Sequence, residues 1–319
     1  MTIIARKFYQ FFYPLPKYTE NFIKADFQLT KYLLMGLFIA LCIGINYWFN
    51  FEDTYVQVHD FYARFFRYIG FYSFAYFGGV MIVSWKGGGN GFIKKKQFWV
   101  LSVLAMIIIA FDGSYHGAYD ISRALVPREV YLYVGKLFTE FRNFLTILLP
   151  LFVIWLVTKE KDDSFYGLTF QNVWVKPYLL LLLIMLPLIL LAAQSASFLE
   201  TYPLFKTFGA ENYWHISRAW LAAPYEFLYG SSFLSVELFF RGFLVIGMIK
   251  IMGKDAILPM VGLYAFLHFG KPMGEAISSV FGGYLLGIFA YYSRNIWGGV
   301  FVHGGIALMM ETIAGIVKM

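Results

Sequence analysis

The run YLLLLLIMLPLILLAAQ, residues 178–194, holds no charged side chain. A helix rises 1.5 Å per residue, so about 17–25 consecutive apolar residues cross the hydrocarbon of a bilayer. Working outward in both directions, comparable runs lie at 32–49, 68–85, 97–111, 144–158, 217–249, 256–269, 276–292 and 296–314. The run at 144–158 is short, and that at 217–249 is too long for one simple crossing. Gly230-Ser231-Ser232 predicts a break or kink inside it. The expected fold is all-α: a polytopic membrane protein of eight or nine transmembrane helices.

The composition agrees. Of 319 residues, 60% are hydrophobic, 21% aromatic and only 14% charged, and the mean hydropathy is +0.63. A soluble chain carries nearer a quarter charged residues. The net charge of +7 suits anionic head groups. Because the basic residues sit in short loops, they set topology, and no nucleic-acid partner is expected. Their distribution, led by the N-terminus and Lys94-Lys95-Lys96, modestly favours an inside N-terminus. Cys42 is the one cysteine, which excludes an intrachain disulfide and a cysteine-based metal site. Met1 to Gln10 has no small-residue cleavage site after it, which argues against a cleaved signal peptide. Residues 1–30, with Phe8, Tyr9, Phe11, Phe12 and Tyr13 among Arg6, Lys7, Lys17 and Lys24, read as an interfacial segment. Helices and loops fill 31–215, and an ionisable C-terminal third fills 216–314. The expected location is an integral, multi-pass protein, in the cytoplasmic membrane if the source is prokaryotic.

A charge at the bilayer centre costs on the order of 2.5–3.5 kcal/mol, so each one needs a partner or a task. After residue 215 the apolar runs contain Glu226, Glu237, Arg241, His268, His303 and Glu311, with Lys271 and Glu275 just outside. Glu237 and Arg241 are four apart and share a helix face, as an internal ion pair requires. His268 and His303 lie on different helices. Either alone reads as a structural histidine, but two histidines with a carboxylate can hold a divalent metal or perform acid–base chemistry. Glu311 returns close to the face of His303, where it would orient the imidazole or complete a site; an ordinary boundary residue is the alternative. Glu275 complements a helix dipole. Gly282-Gly283, Gly287, Gly298-Gly299 and Gly304-Gly305 predict close helix approach.

Glu-x-x-x-Arg, aromatic-x-x-x-His and His-x-x-x occur in that order in Glu237–Arg241, Tyr264–His268 and His303–Ala307. With Phe239-Phe240-Arg241-Gly242-Phe243-Leu244 and Tyr284-Leu285-Leu286-Gly287, residues 216–312 resemble the CAAX prenyl protease and bacteriocin-processing (Abi) family. The resemblance implies an intramembrane endopeptidase bundle in which a glutamate and a histidine activate water. It implies catalytic roles for Glu237, Arg241, His268 and His303. Two positions depart from it: the family's first glutamate falls at Val236, and its last Asn or Asp falls at Ala307. Glu237 on a rotated helix and Glu311 one turn beyond Ala307 are the expected replacements. Tyr264 for Phe reads as a minor change.

The function expected is therefore hydrolysis of a peptide bond in a membrane-associated peptide or protein. The alternative is a non-catalytic relative that binds or chaperones a membrane partner; a small transporter ranks last, without an inverted repeat. Metal dependence stays open at this level: zinc or another divalent ion would take Glu237, His268 and His303.

Overall fold

The computed structural model describes residues 13–86, 91–159, 164–171 and 173–318. Arg6, Lys7, Phe8, Tyr9, Phe11 and Phe12 of the expected interfacial segment lie outside them. Among the described residues every regular element is helical, and eight helices are long and apolar enough to cross a membrane. The chain is an integral, multi-pass, all-α bundle.

The amphipathic α1 (Leu15–Asp26) precedes α2 (Leu29–Phe49), α3 (Phe61–Lys86), α4 (Lys96–Ser114) and the short α5 (Ala118–Leu125). Next come α6 (Tyr131–Asn143), a π turn at Phe144–Leu148, α7 (Leu149–Thr158) and α8 (Val175–Ala192). The last third holds α9 (Arg218–Glu237), a π-helical stretch (Leu238–Gly247), α10 (Ile257–Phe266), α11 (Met273–Ser293) and α12 (Trp297–Val317).

Two features differ from the sequence reading. The fourth apolar run is the end of a helical segment that starts at Tyr131. Its first half carries Lys136, Glu140 and Arg142, which interrupt the apolar pattern but are paired: Lys136 with Glu140 at 3.1 Å, Arg142 with Asp112 at 3.5 Å. Second, α9 runs unbroken through Gly230-Ser231-Ser232. Ser231 donates to the Phe227 carbonyl and Ser232 to the Tyr229 carbonyl, so both hydroxyls are satisfied within the helix. The irregularity lies later, in the π stretch, and the chain reverses only at Gly253 (φ +60°), a conformation that glycine adopts freely.

All ten residues of α10 are buried. This helix packs against α3 and α11, while α12 packs against α8 and α9. At one end of the bundle the buried Lys31 pairs with Asp26 at 2.7 Å, and Asp26 also accepts from Tyr32. Phe22 of α1 is buried against Tyr284 and Tyr291 of α11, leaving Lys17 and Lys24 exposed. At the opposite end, Asn46 and Tyr47 donate to the carbonyls of Phe269 and Lys271. They thereby fix the turn that follows α10.

Candidate active site

The site is assembled where α9 passes into its π stretch. An i→i+5 turn is wider than an α turn, changes the direction of the side chains after it, and is common at functional positions. Glu237 is the last α-helical residue before it. Its side chain is fully buried, and Oε1 takes two partners: Arg241 Nη1 at 2.9 Å and His303 Nδ1 at 3.1 Å. The ion pair expected from spacing is formed. The same carboxylate also reaches across to α12.

Close packing makes that reach possible. A Cβ on Gly299 would stand 2.0 Å from Glu237 Oε2, so only glycine lets α12 approach. Oε2 itself has no hydrogen-bond partner among the described residues. The Arg241 guanidinium lies over the Tyr264 ring, 4.2 Å from its centroid, and the side chain is 1% exposed.

Tyr264 does more than fill the family's aromatic position. Its hydroxyl stands 3.3 Å from His303 Nε2. Four residues on, His268 Nδ1 donates to the Tyr264 carbonyl at 2.8 Å, which fixes the imidazole and leaves Nε2 with its lone pair. The two imidazoles are nearly parallel, their centroids 6.5 Å apart. Phe233 packs on the His303 ring at 4.3 Å. His303 is the more open of the pair with Glu237, at 16% side-chain exposure against 0%.

Glu237, Arg241, His268 and His303 are thus brought together; Glu311 is held elsewhere. Both of its oxygens accept backbone N–H groups, from Leu204 at 2.7 Å and Phe205 at 3.0 Å. It ties the loop after α8 to α12. A sequence reading of helix faces has no access to that returning loop. Glu275 likewise accepts from Tyr202, at 2.9 Å. Val236 packs against the core, and Ala307 is buried with Tyr225 and Tyr229. The close approach expected at Gly298-Gly299 is present, at Gly299 against Glu237, whereas the Tyr264 hydroxyl is signalled in the sequence only by the Phe-to-Tyr departure.

A metal fits this set poorly. Among the described residues no three of His, Cys, Asp and Glu are placed to hold an ion. The Arg241 cation already engages Glu237 Oε1, and the two imidazole centroids stand 6.5 Å apart.

No curated protein and no solved structure matches the chain. The family model described as type II CAAX prenyl endopeptidase Rce1-like matches residues 213–309, from just before α9 into α12. That segment contains the Glu237–Arg241 pair, Tyr264 and both histidines, and over it the chain is similar to the Rce1-like CAAX protease family.

Proposed function

We propose that the chain is an intramembrane endopeptidase in which His303, oriented by Glu237, activates the attacking water. The observation that carries this reading is the Glu237–His303 contact, made by a carboxylate with no exposed surface and an imidazole that has some. A salt-bridged carboxylate accepts, so His303 Nδ1–H donates to it and Nε2 keeps its lone pair. Nε2 takes a proton from water as the oxygen attacks the scissile carbonyl. The developing oxyanion draws the Tyr264 hydroxyl as donor, supplying the polar group missing at Ala307. The C–N bond then breaks, and the proton on His303 passes to the leaving amine. His268, with Nδ1 pinned, offers Nε2 as a second acceptor that positions the water. Arg241 pairs with Glu237 and holds it in place. The family match supports a peptide hydrolase in general, and the substrate is a peptide or protein reached from the membrane.

The test compares membrane-proteome N-termini in cells making the wild-type chain, His303→Ala, Glu237→Gln or Tyr264→Phe at equal folded amounts. New termini in wild type are expected to vanish in His303→Ala. With Tyr264→Phe they form about 10²–10³-fold more slowly, as when one oxyanion donor is lost. Identical termini in all four would defeat the assignment. The full burial of Glu237 favours a second reading, a binding protein without catalysis, and that result would select it.

A further inference from the structure

Away from the Glu237 cluster, a cavity of about 280 Å³ lies among the chain after α2 and helices α3 to α6. Its polar lining comes from Gln57, Tyr68, His116, Tyr119, Thr139 and Arg142, and none of the lining residues is acidic. At ~30 Å³ per water, the space holds about nine waters, more than a bare ion needs.

The Arg142 guanidinium lines it, and that of Arg64 stands against the His116 ring, outside the lining. Arg64 is 8% exposed and donates to the carbonyls of Val58, His59 and Ser114, and it touches the His116 ring. Those carbonyls are neutral, so the cation keeps its field. Arg142 donates to the Tyr115 carbonyl at 2.6 Å, with Asp112 3.5 Å from its Nε. That Nε has no hydrogen-bond partner among the described residues. Asp112 is shared with Thr146, and Glu52 accepts the Tyr68 hydroxyl. Burial pushes His116 below its ordinary range, and the two arginines push it the same way.

We propose that this cavity binds a phosphate group. Gln57, His116, Tyr119 and Arg142 come from several elements and surround a volume, as a tetrahedral anion requires, and a guanidinium matches phosphate oxygens. The cavity lies at the end of the bundle where the candidate spans Leu29–Phe49 and Lys96–Ser114 stop, so the phosphate comes from a lipid or from solution. The site is also next to the His268 turn. A Cβ on Gly270 would stand 3.7 Å from Glu52 Oε2 and 3.9 Å from the amide nitrogen of Gln57, which lines the cavity. An anion drawing on Gln57 therefore bears on the support of that turn.

The test uses the full chain in a neutral detergent, titrated with inorganic phosphate, with soluble short-chain phosphatidic acid, and with the matching phosphatidylcholine. Thermal midpoint and the His116 proton resonances are the readouts. Saturable stabilisation by both inorganic phosphate and phosphatidic acid, with His116 titrating at higher pH, shows a site for phosphate itself. A response to phosphatidic acid alone shows a lipid head-group site. In either case Arg142→Gln weakens binding about tenfold or more, the loss expected for a charged hydrogen bond. Tyr119→Phe, which keeps the arginines, serves if Arg142→Gln does not fold, and it weakens binding as well. No response to either phosphate compound overturns the proposal, as does equal binding by the folded variants and wild type.

Discussion

Gly299→Ala adds one methyl group and aims it at the carboxylate on which the candidate site depends. On the wild-type backbone the new Cβ falls 2.0 Å from Glu237 Oε2 and 2.8 Å from its Cδ. Ordinary contact begins near ~3.4 Å, so one partner must retreat by more than ~1 Å. Glu237 cannot do so cheaply, because Oε1 is held by Arg241 at 2.9 Å and His303 at 3.1 Å. If the carboxylate turns away, Arg241 becomes a buried, unpaired cation, a loss of about 3–5 kcal/mol. If the helices part instead, the overpacking costs about 1–3 kcal/mol. Both routes move His303 against Glu237, and a misplacement near 1 Å lowers a rate about 10²-fold. Cleavage per folded molecule and the unfolding midpoint are measured in one detergent, with Gly282→Ala as control. A Cβ there meets nothing within 4 Å, so that variant gains up to about 1 kcal/mol from helix propensity. Wild-type stability and cleavage in Gly299→Ala would refute the packing that brings Glu237 and His303 together.

Two further outcomes follow from buried carboxylates outside that cluster. Glu52, in the connection after α2, is raised from 4.5 to about 7, chiefly by burial and against the lowering effect of the Tyr68 hydroxyl. The folded chain holds this proton more tightly than the unfolded one, so the contribution is full below about pH 4.5 and lost as pH rises through about 7. The shift corresponds to about 3 kcal/mol, so Glu52→Gln melts with wild type near pH 4.5 and well above it at pH 8; parallel curves would contradict this. Glu311→Gln keeps one acceptor for two N–H donors and loses the charge. It lowers stability by about 1.5–3 kcal/mol while leaving cleavage per folded molecule within a few-fold, and a catalytic collapse with unchanged stability would return Glu311 to the site.

The membrane fold is legible because lipid imposes a single demand on every span, and 178–194 meets it by composition alone. Where charges are paired inside the bundle, the demand is hidden. Tyr131–Asn143 looks like a polar loop until Lys136 is set against Glu140 and Arg142 against Asp112. Gly230-Ser231-Ser232 looks like a break because the sequence does not show the hydroxyls returning to carbonyls of their own turn. In the candidate site, the Glu237–Arg241 pair is local and can be read from a four-residue spacing. The Glu237–His303 contact is legible only in part: Gly298-Gly299 signals close approach of α12, but not that the Gly299 gap is filled by the Glu237 carboxylate. The placement of Glu311 depends on a loop more than a hundred residues away in sequence, between Leu204 and Phe205.

The departures at Val236 and Ala307 bear on mechanism differently once the contacts are known. With Val236 in the core, Glu237 is the carboxylate of the cluster, and it is engaged by Arg241 and His303 at a single oxygen. A carboxylate so committed is a poor direct base, because a proton taken from water would weaken its pairing with a buried guanidinium. It is well suited to hold an imidazole in one tautomer. In the proposed hydrolysis the role of base therefore falls to His303, and the hydroxyl of Tyr264, 3.3 Å from its Nε2, is the donor offered to an oxyanion rather than any group at residue 307. That arrangement separates the two functional readings. A binding protein needs the Glu237–Arg241 pair at most for packing, and a hydrophobic replacement of both residues together would leave it working and equally or more stable. A hydrolase treated the same way loses the group that orients His303, and keeps its fold while losing its cleavage.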